Sequence, residues 1–200
     1  MKYEEYRKQA QSLDIVLFSG KGRISEAIKW VTKSDKSHIA LTLHMHEYNC
    51  LALFESTTLS DTNDILSGKK GSKGVQLVNM SSRLNNYDGA VWVRPIIGVR
   101  TRKQKEAAMN FMREFHGRPY EQNQIELVRS AIDLPGIRFM KNEPDASSVF
   151  CSELTALMLR HVGIMNDNGE PANEFTPADF AKDIDLADGY TAGDMIEITP

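Results

Sequence analysis

Cysteine is scarce in this chain. Two occur in 200 residues, Cys50 and Cys151, too few for a secreted disulfide scaffold, so both are read as free thiols. Long apolar runs are missing too. Stretches such as Asp14-Ile15-Val16-Leu17-Phe18 and Ala52-Leu53-Phe54 fall far short of the ~20 residues that cross a bilayer. The N-terminal MKYEEYRKQAQSLD is polar and lacks the apolar stretch of a signal peptide. The expectation is a cytoplasmic protein, or one made in a cytoplasm and released by lysis, as a phage-encoded enzyme would be. Charge of one sign is also lacking. The formal net charge of -3 makes nucleic acid a poor partner. There is no internal repeat, low-complexity tract or linker. What remains is the composition of an ordinary globular protein, 41% hydrophobic and 26% charged, which is read as one domain over 1–200 with a core of its own.

The pattern predicts strands first and helices later. A short polar helix is expected over 3–12, then a strand from Asp14 to Ser19. Ser25 suits an N-cap, with Ile24, Ile28 and Val31 at helical spacing. From His38 to His46 the chain alternates: Ile39, Leu41, Leu43 and Met45 point one way, His38, Ala40, Thr42, His44 and His46 the other. Leu51 to Glu55 reads as a strand paired with it in an antiparallel hairpin. Residues 57–74, rich in Ser, Thr, Asp, Gly and Lys, read as a mobile surface loop. Val75–Val78 and Ala90–Ile97 read as further strands. Arg102–His116 carries Ala107, Ala108, Phe111, Met112 and Phe115 on one face, an amphipathic helix stopped by Gly117 and Pro119. Gln124–Leu134 reads as helix, Pro135–Ser148 as irregular, Ser152–Val162 as helix. Thr176-Pro177 opens another helix, and Ile196–Ile198 is a last edge strand. This order argues an α+β fold, a small antiparallel sheet packed against helices.

Cys151 stands where the helix 152–162 is expected to begin. Unpaired N–H groups and the helix dipole there favour a thiolate and could bind an oxyanion. A buried structural cysteine is the bland alternative. His38 is a candidate base for the thiol. Glu55 ends the neighbouring strand, within reach of an imidazole on 38–46, and could fix its tautomer. His44 and His46 form an H-x-H pair, with Glu47 nearby, but no further ligand cluster completes a metal set. Tyr120 follows the helix stop and could donate a hydrogen bond to substrate.

In order, Ser37-His38-Ile39-Ala40-Leu41, Phe54-Glu55-Ser56, Gly117-Arg118-Pro119-Tyr120, Phe150-Cys151-Ser152-Glu153-Leu154 and Thr176-Pro177-Ala178-Asp179-Phe180 resemble the circularly permuted branch of the NlpC-type, papain-like cysteine hydrolases, the YiiX/YebB-like group. The resemblance runs from about residue 13 to about residue 182. It implies a permuted papain-like fold with the histidine strand ahead of the cysteine helix. It assigns the nucleophile to Cys151, the base to His38, the third member to Glu55, and places Tyr120 near the nucleophile. The stretches 57–74 and 135–148 have no counterpart in it.

The function expected is a thiol hydrolase that cleaves an amide bond in a peptide or cell-wall-type peptide, through an acyl-enzyme and without a cofactor or metal. The alternatives are an acyltransferase, esterase or thioesterase on a lipid-linked substrate with the same triad, a non-catalytic phage- or virion-associated module, and a metal-dependent hydrolase built on His44 and His46.

Overall fold

A computed structural model describes residues 1–57, 61–71, 73–119 and 147–200; for 23, 24, 31 and 147–150 it describes the backbone only. The expected helix 124–134, most of the irregular stretch 135–148, and Tyr120 lie outside the described residues.

The architecture is mixed α and β. Six strands form one antiparallel sheet: β1 (Ile15–Gly20), β2 (His38–Met45), β3 (Cys50–Thr57), β4 (Gly74–Asn79), β5 (Gly89–Arg94) and β8 (Ile196–Ile198), in the order β4-β3-β2-β1-β5-β8. A separate two-stranded ribbon pairs β6 (Ile96–Ile97) with β7 (Thr191–Ala192). The expected strand 90–97 is therefore two strands, because Pro95 cannot donate to a ladder. The helices are α1 (Tyr3–Arg7), α2 (Arg23–Thr32), α3 (Met80–Asn85), α4 (Arg102–Phe115) and α5 (Ser147–His161). Two expected boundaries move. The first helix stops at Arg7, and α2 is capped by Gly22 rather than Ser25.

The hairpin of β2 and β3 forms as the alternation predicts, with Leu41 opposite Phe54 and Leu43 opposite Ala52. It turns through a short 3-10 segment, His46–Tyr48, and Asn49 in the left-handed region (φ 44°), a conformation that asparagine tolerates. Both faces of the sheet are buried. On one, Ile39, Leu41, Leu43, Met45, Phe54 and Leu77 pack under α4 and α5. On the other, Val16, Phe18, Ala40, Leu53 and Val78 pack with Tyr6 of α1 and with Met80 and Leu84 of α3. The strand pattern alone resolves one buried face. The second is buried because α3, absent from the sequence reading, and α1 cover it.

Three further expectations are corrected. The described part of 57–74 is tied down, not loose. Asp64 is buried and accepts from the backbone N–H groups of Leu66, Ser67 and Leu77 and from His116 Nε2. Thr176-Pro177 opens no α-helix but leads into a 3-10 turn, Asp179–Ala181, because the Asp179 carboxylate accepts from Thr176 N and Oγ1 and closes the chain locally. Finally, the chain is already helical at Ser147, ahead of the expected start at Ser152.

Asp14, at the entry to β1, ties the N-terminal segment to the ribbon. Its carboxylate accepts from Tyr6 Oη (3.0 Å), Gln11 N (3.0 Å), Ile96 N (3.2 Å) and the buried Arg100 Nη2 (3.0 Å). Removing it strands a buried cation and two backbone donors. Asp14→Ala is expected to cost about 3–5 kcal/mol. That should lower the melting temperature by roughly 2–4 °C for each kcal/mol in a chain this size. An unchanged denaturation midpoint would contradict the account.

Candidate active site

The site is built where β2 begins. His38 is the first residue of β2 and lies opposite Phe18 of β1. By alternation its side chain shares the α3 face of the sheet with Phe18, and the two rings sit 5.3 Å apart. Glu55 of β3 lies on the same face. Its Oε2 is 2.7 Å from His38 Nε2, so the structure brings these two sequence candidates together.

Glu55 is 1% exposed, and its remaining bonding capacity is used. Gln76 Nε2 of β4 donates to Oε1 at 2.8 Å, and Arg83 Nε of α3 donates to Oε1 at 3.1 Å. Burial by itself would push this carboxyl up. The Arg83 guanidinium first, then His38 and Gln76, outweigh that and hold it at about 2. Glu55 is thus a carboxylate at neutral pH. A carboxylate only accepts, so Nε2 of His38 carries the proton. The neutral ring then has its lone pair on Nδ1. Nδ1 is buried and has no hydrogen-bond partner among the described residues. A ring clamped on one side by a carboxylate and open on the other is the form a general base requires.

Gln76 and Arg83 were not singled out in the sequence. Gln76 is one polar residue in an otherwise apolar strand. Arg83 sits on α3, and the sign that could have revealed that helix is Asn79, whose Oδ1 accepts from Ser81 N and Ser82 N as an N-cap. Arg83 is further fixed over the rings of Tyr87 (5.1 Å) and Phe18 (5.2 Å).

Cys151 is placed differently from the expectation. It is the fifth residue of α5, one turn inside the helix and not at its open end. It is buried in the core of the α4/α5 face. Gln104 Nε2 of α4 donates to Val162 O, just past the end of α5. Arg100 Nε donates to Ser12 O, and Ser12 Oγ accepts from His44 N. Phe111 of α4 stands between His161 at the end of α5 (ring centroids 5.4 Å apart) and Phe54 of β3 (6.3 Å), and Phe54 pairs with Leu41. The structure joins two of the three candidates. The third, Cys151, lies on the opposite face of the sheet, in the core beneath α4 and α5.

The approach to Tyr120 reaches the end of the sheet where β2 begins and β3 ends. Val75 N donates to Arg118 O and Gly117 N to Val75 O. Gly74, which pairs with Thr57, has φ 117°, and a Cβ there would stand 2.3 Å from Arg118 O; only glycine lets the chain pass. Tyr120 itself is outside the described residues.

His44 and His46 do not gather a ligand set. Their rings stack at 6.0 Å, and His44 Nε2 donates to Ala10 O. Among the described residues no group of three or more His, Cys, Asp or Glu is placed to hold a metal.

The Glu55 carboxyl has a depressed folded-state value, so its contribution to stability is present above about 4.5 and is lost as pH falls toward about 2. Chemical denaturation between pH 5 and pH 2 should show the wild type losing on the order of 3 kcal/mol more than Glu55→Gln. Parallel curves for the two proteins would refute the pairing.

No protein-family model matches the chain, and no curated protein matches it. A solved structure does resemble it: that of metalloprotein YiiX from Escherichia coli O157:H7, DUF1105, at 16% identity and a TM-score of 0.54, covering 96% of this chain and 99% of the other. At that identity the likeness is one of fold, and the fold is α+β over nearly the full length of both chains.

Proposed function

We propose that the protein is a thiol hydrolase of the permuted NlpC-type class. Cys151 is its nucleophile, His38 its general base and Glu55 the group that orients the base. One observation carries the reading: a buried imidazole whose Nε2 is held by a buried carboxylate and whose Nδ1 is left without a partner among the described residues.

Nδ1 of His38 takes the thiol proton, and the sulfur attacks the carbonyl carbon of an amide. The tetrahedral oxyanion collapses, the C–N bond breaks, and the imidazolium gives its proton to the departing amine. Water, deprotonated by the same Nδ1, then releases the acyl group as a carboxylic acid and restores the thiol. Glu55 stays ionised throughout, because Arg83 and Gln76 stabilise its charge. Since Cys151 lies one turn inside α5, activation falls to His38 more than to the helix dipole. The sulfur must meet Nδ1 around the His38 end of β2. The substrate class is an amide in a peptide or cell-wall-type peptide, met in a cytoplasm or after lysis.

The YiiX neighbour is titled a metalloprotein. Among the described residues of this chain no group of three or more His, Cys, Asp or Glu is placed to hold a metal.

The test compares two thiols in one chain. Cys151 should react with iodoacetamide at pH 6–7 faster than a free model thiol. His38→Ala should slow it at least about tenfold, and leave Cys50, whose thiol burial pushes up, unchanged. Cys151→Ala should reduce hydrolysis of a γ-D-glutamyl peptide by about 1,000-fold or more. Equal alkylation rates with and without His38, or full activity in Cys151→Ala, would end the proposal. Turnover of an acyl thioester in preference to the peptide would move it to the lipid-linked class.

A further inference from the structure

The far end of β2 holds a second concave feature, which the hydrolase reading does not use. Between α4 and the His44 end of β2 lies a cavity of about 460 Å³, within the size range of small-ligand sites. One wall is a face of α4: Arg102, Lys105, Glu106, Met109 and Arg113 line it, spaced so that they share one side of the helix. The floor is apolar, from Leu43 and Ala108. Ser12, His44 and His46 close the other side.

The charges along this wall do not cancel. Glu106 Oε1 is taken by Arg102 Nε at 2.7 Å, in an exposed i,i+4 pair. Among the described residues no carboxylate lies within ion-pair distance of Lys105 or Arg113, and Arg113 Nη1 donates only to the neutral Asn110 Oδ1, at 3.2 Å. Two uncompensated cations therefore border one hollow in a chain whose net charge is -3. The opposite wall is preformed. His44 is anchored through Nε2 to Ala10 O and stacked on His46 at an interplanar angle of 15°. Ser12 Oγ already accepts from His44 N, so its own proton is free to point to a ligand oxygen.

We propose that this groove binds a phosphate group borne by a small or lipid-linked ligand. A phosphate monoester carries about −1.5 to −2 charges at neutral pH and several strong acceptor oxygens. That matches two unpaired cations with hydroxyl and amide donors beside them, Arg being suited to phosphate geometry. Leu43 and Met109 take the apolar part of the ligand. The groove is about 20 Å along β2 from His38, so this site stands whether or not Cys151 is a nucleophile.

The experiment uses the full chain at pH 7.5 and low salt. Inorganic phosphate is titrated by calorimetry, and sedimentation is followed with vesicles of phosphatidylglycerol against phosphatidylcholine. Saturable binding of phosphate, of the anionic vesicles, or of both is expected. The double variant Lys105→Glu/Arg113→Glu should weaken it at least tenfold. Both side chains are exposed, so thermal unfolding should be unchanged. Lys103→Glu, an exposed charge change on the same helix that does not line the groove, should leave binding within about twofold. Phosphate binding without vesicle binding identifies a soluble phosphorylated ligand; vesicle binding lost in the double variant identifies a lipid headgroup. No saturable binding of either probe, or equal loss in Lys103→Glu and the double variant, overturns the proposal.

Discussion

A carboxylate sealed from solvent is tolerable only if other groups replace the water it has lost. Glu55 meets that demand with donors from three different elements: His38 of β2, Gln76 of β4 and Arg83 of α3. One side chain therefore fixes several things together. It sets the register of β3 against both neighbours, because a slip of one residue would turn Glu55 into the apolar core beneath α5. It also fixes the position of α3, whose Arg83 among the described residues forms its ion pair with Glu55. And it fixes the tautomer of His38. Strand register and the orientation of the His38 ring are consequences of the same buried charge.

The sheet's two buried faces follow different rules. The face beneath α4 and α5 is filled by aliphatic and aromatic side chains. The other mixes such residues with buried polar groups: His38, Thr42, Glu55, Gln76 and Arg83. Thr42 shows how these are accommodated. Its hydroxyl donates to Gln11 O and accepts from Asp14 N, so it joins the loop before β1 to the sheet. Polar residues at even positions of β2 thus signal bonding across elements and not exposure to water.

That distinction explains what could and could not be read in advance. The strands 14–19, 38–46, 51–55 and 75–78 and the helix 102–116 were legible because their periodicity is strong. The pairing of Leu51–Glu55 with His38–His46 followed from their closeness in sequence. The His38–Glu55 contact was legible because two strand ends in a hairpin must lie side by side. Arg83 was not, since it sits on a six-residue helix marked only by Asn79. Asp64 was hidden in a stretch whose Ser, Thr and Gly content reads as loop, although its carboxylate organises that stretch from within. The start of α5 was misplaced because Ser152-Glu153 resembles a helix opening, while the chain is already helical from Ser147. Composition registers which residues favour a turn; it does not register which buried donors a carboxylate will find.

The displacement of Cys151 from the helix end has a chemical consequence. At an open helix N-terminus, unpaired N–H groups and the dipole can stabilise a thiolate without help. One turn further in, the backbone amide is committed to the helix and the sulfur is among apolar side chains. A nucleophile at such a position depends on a base that comes to it. His38 is suited to that role for a reason independent of the cysteine: Glu55 occupies Nε2, and the neighbours of Glu55 keep it charged. The hydrolytic reading therefore rests less on where the sulfur starts than on which ring nitrogen is left open, and that was settled by Gln76 and Arg83.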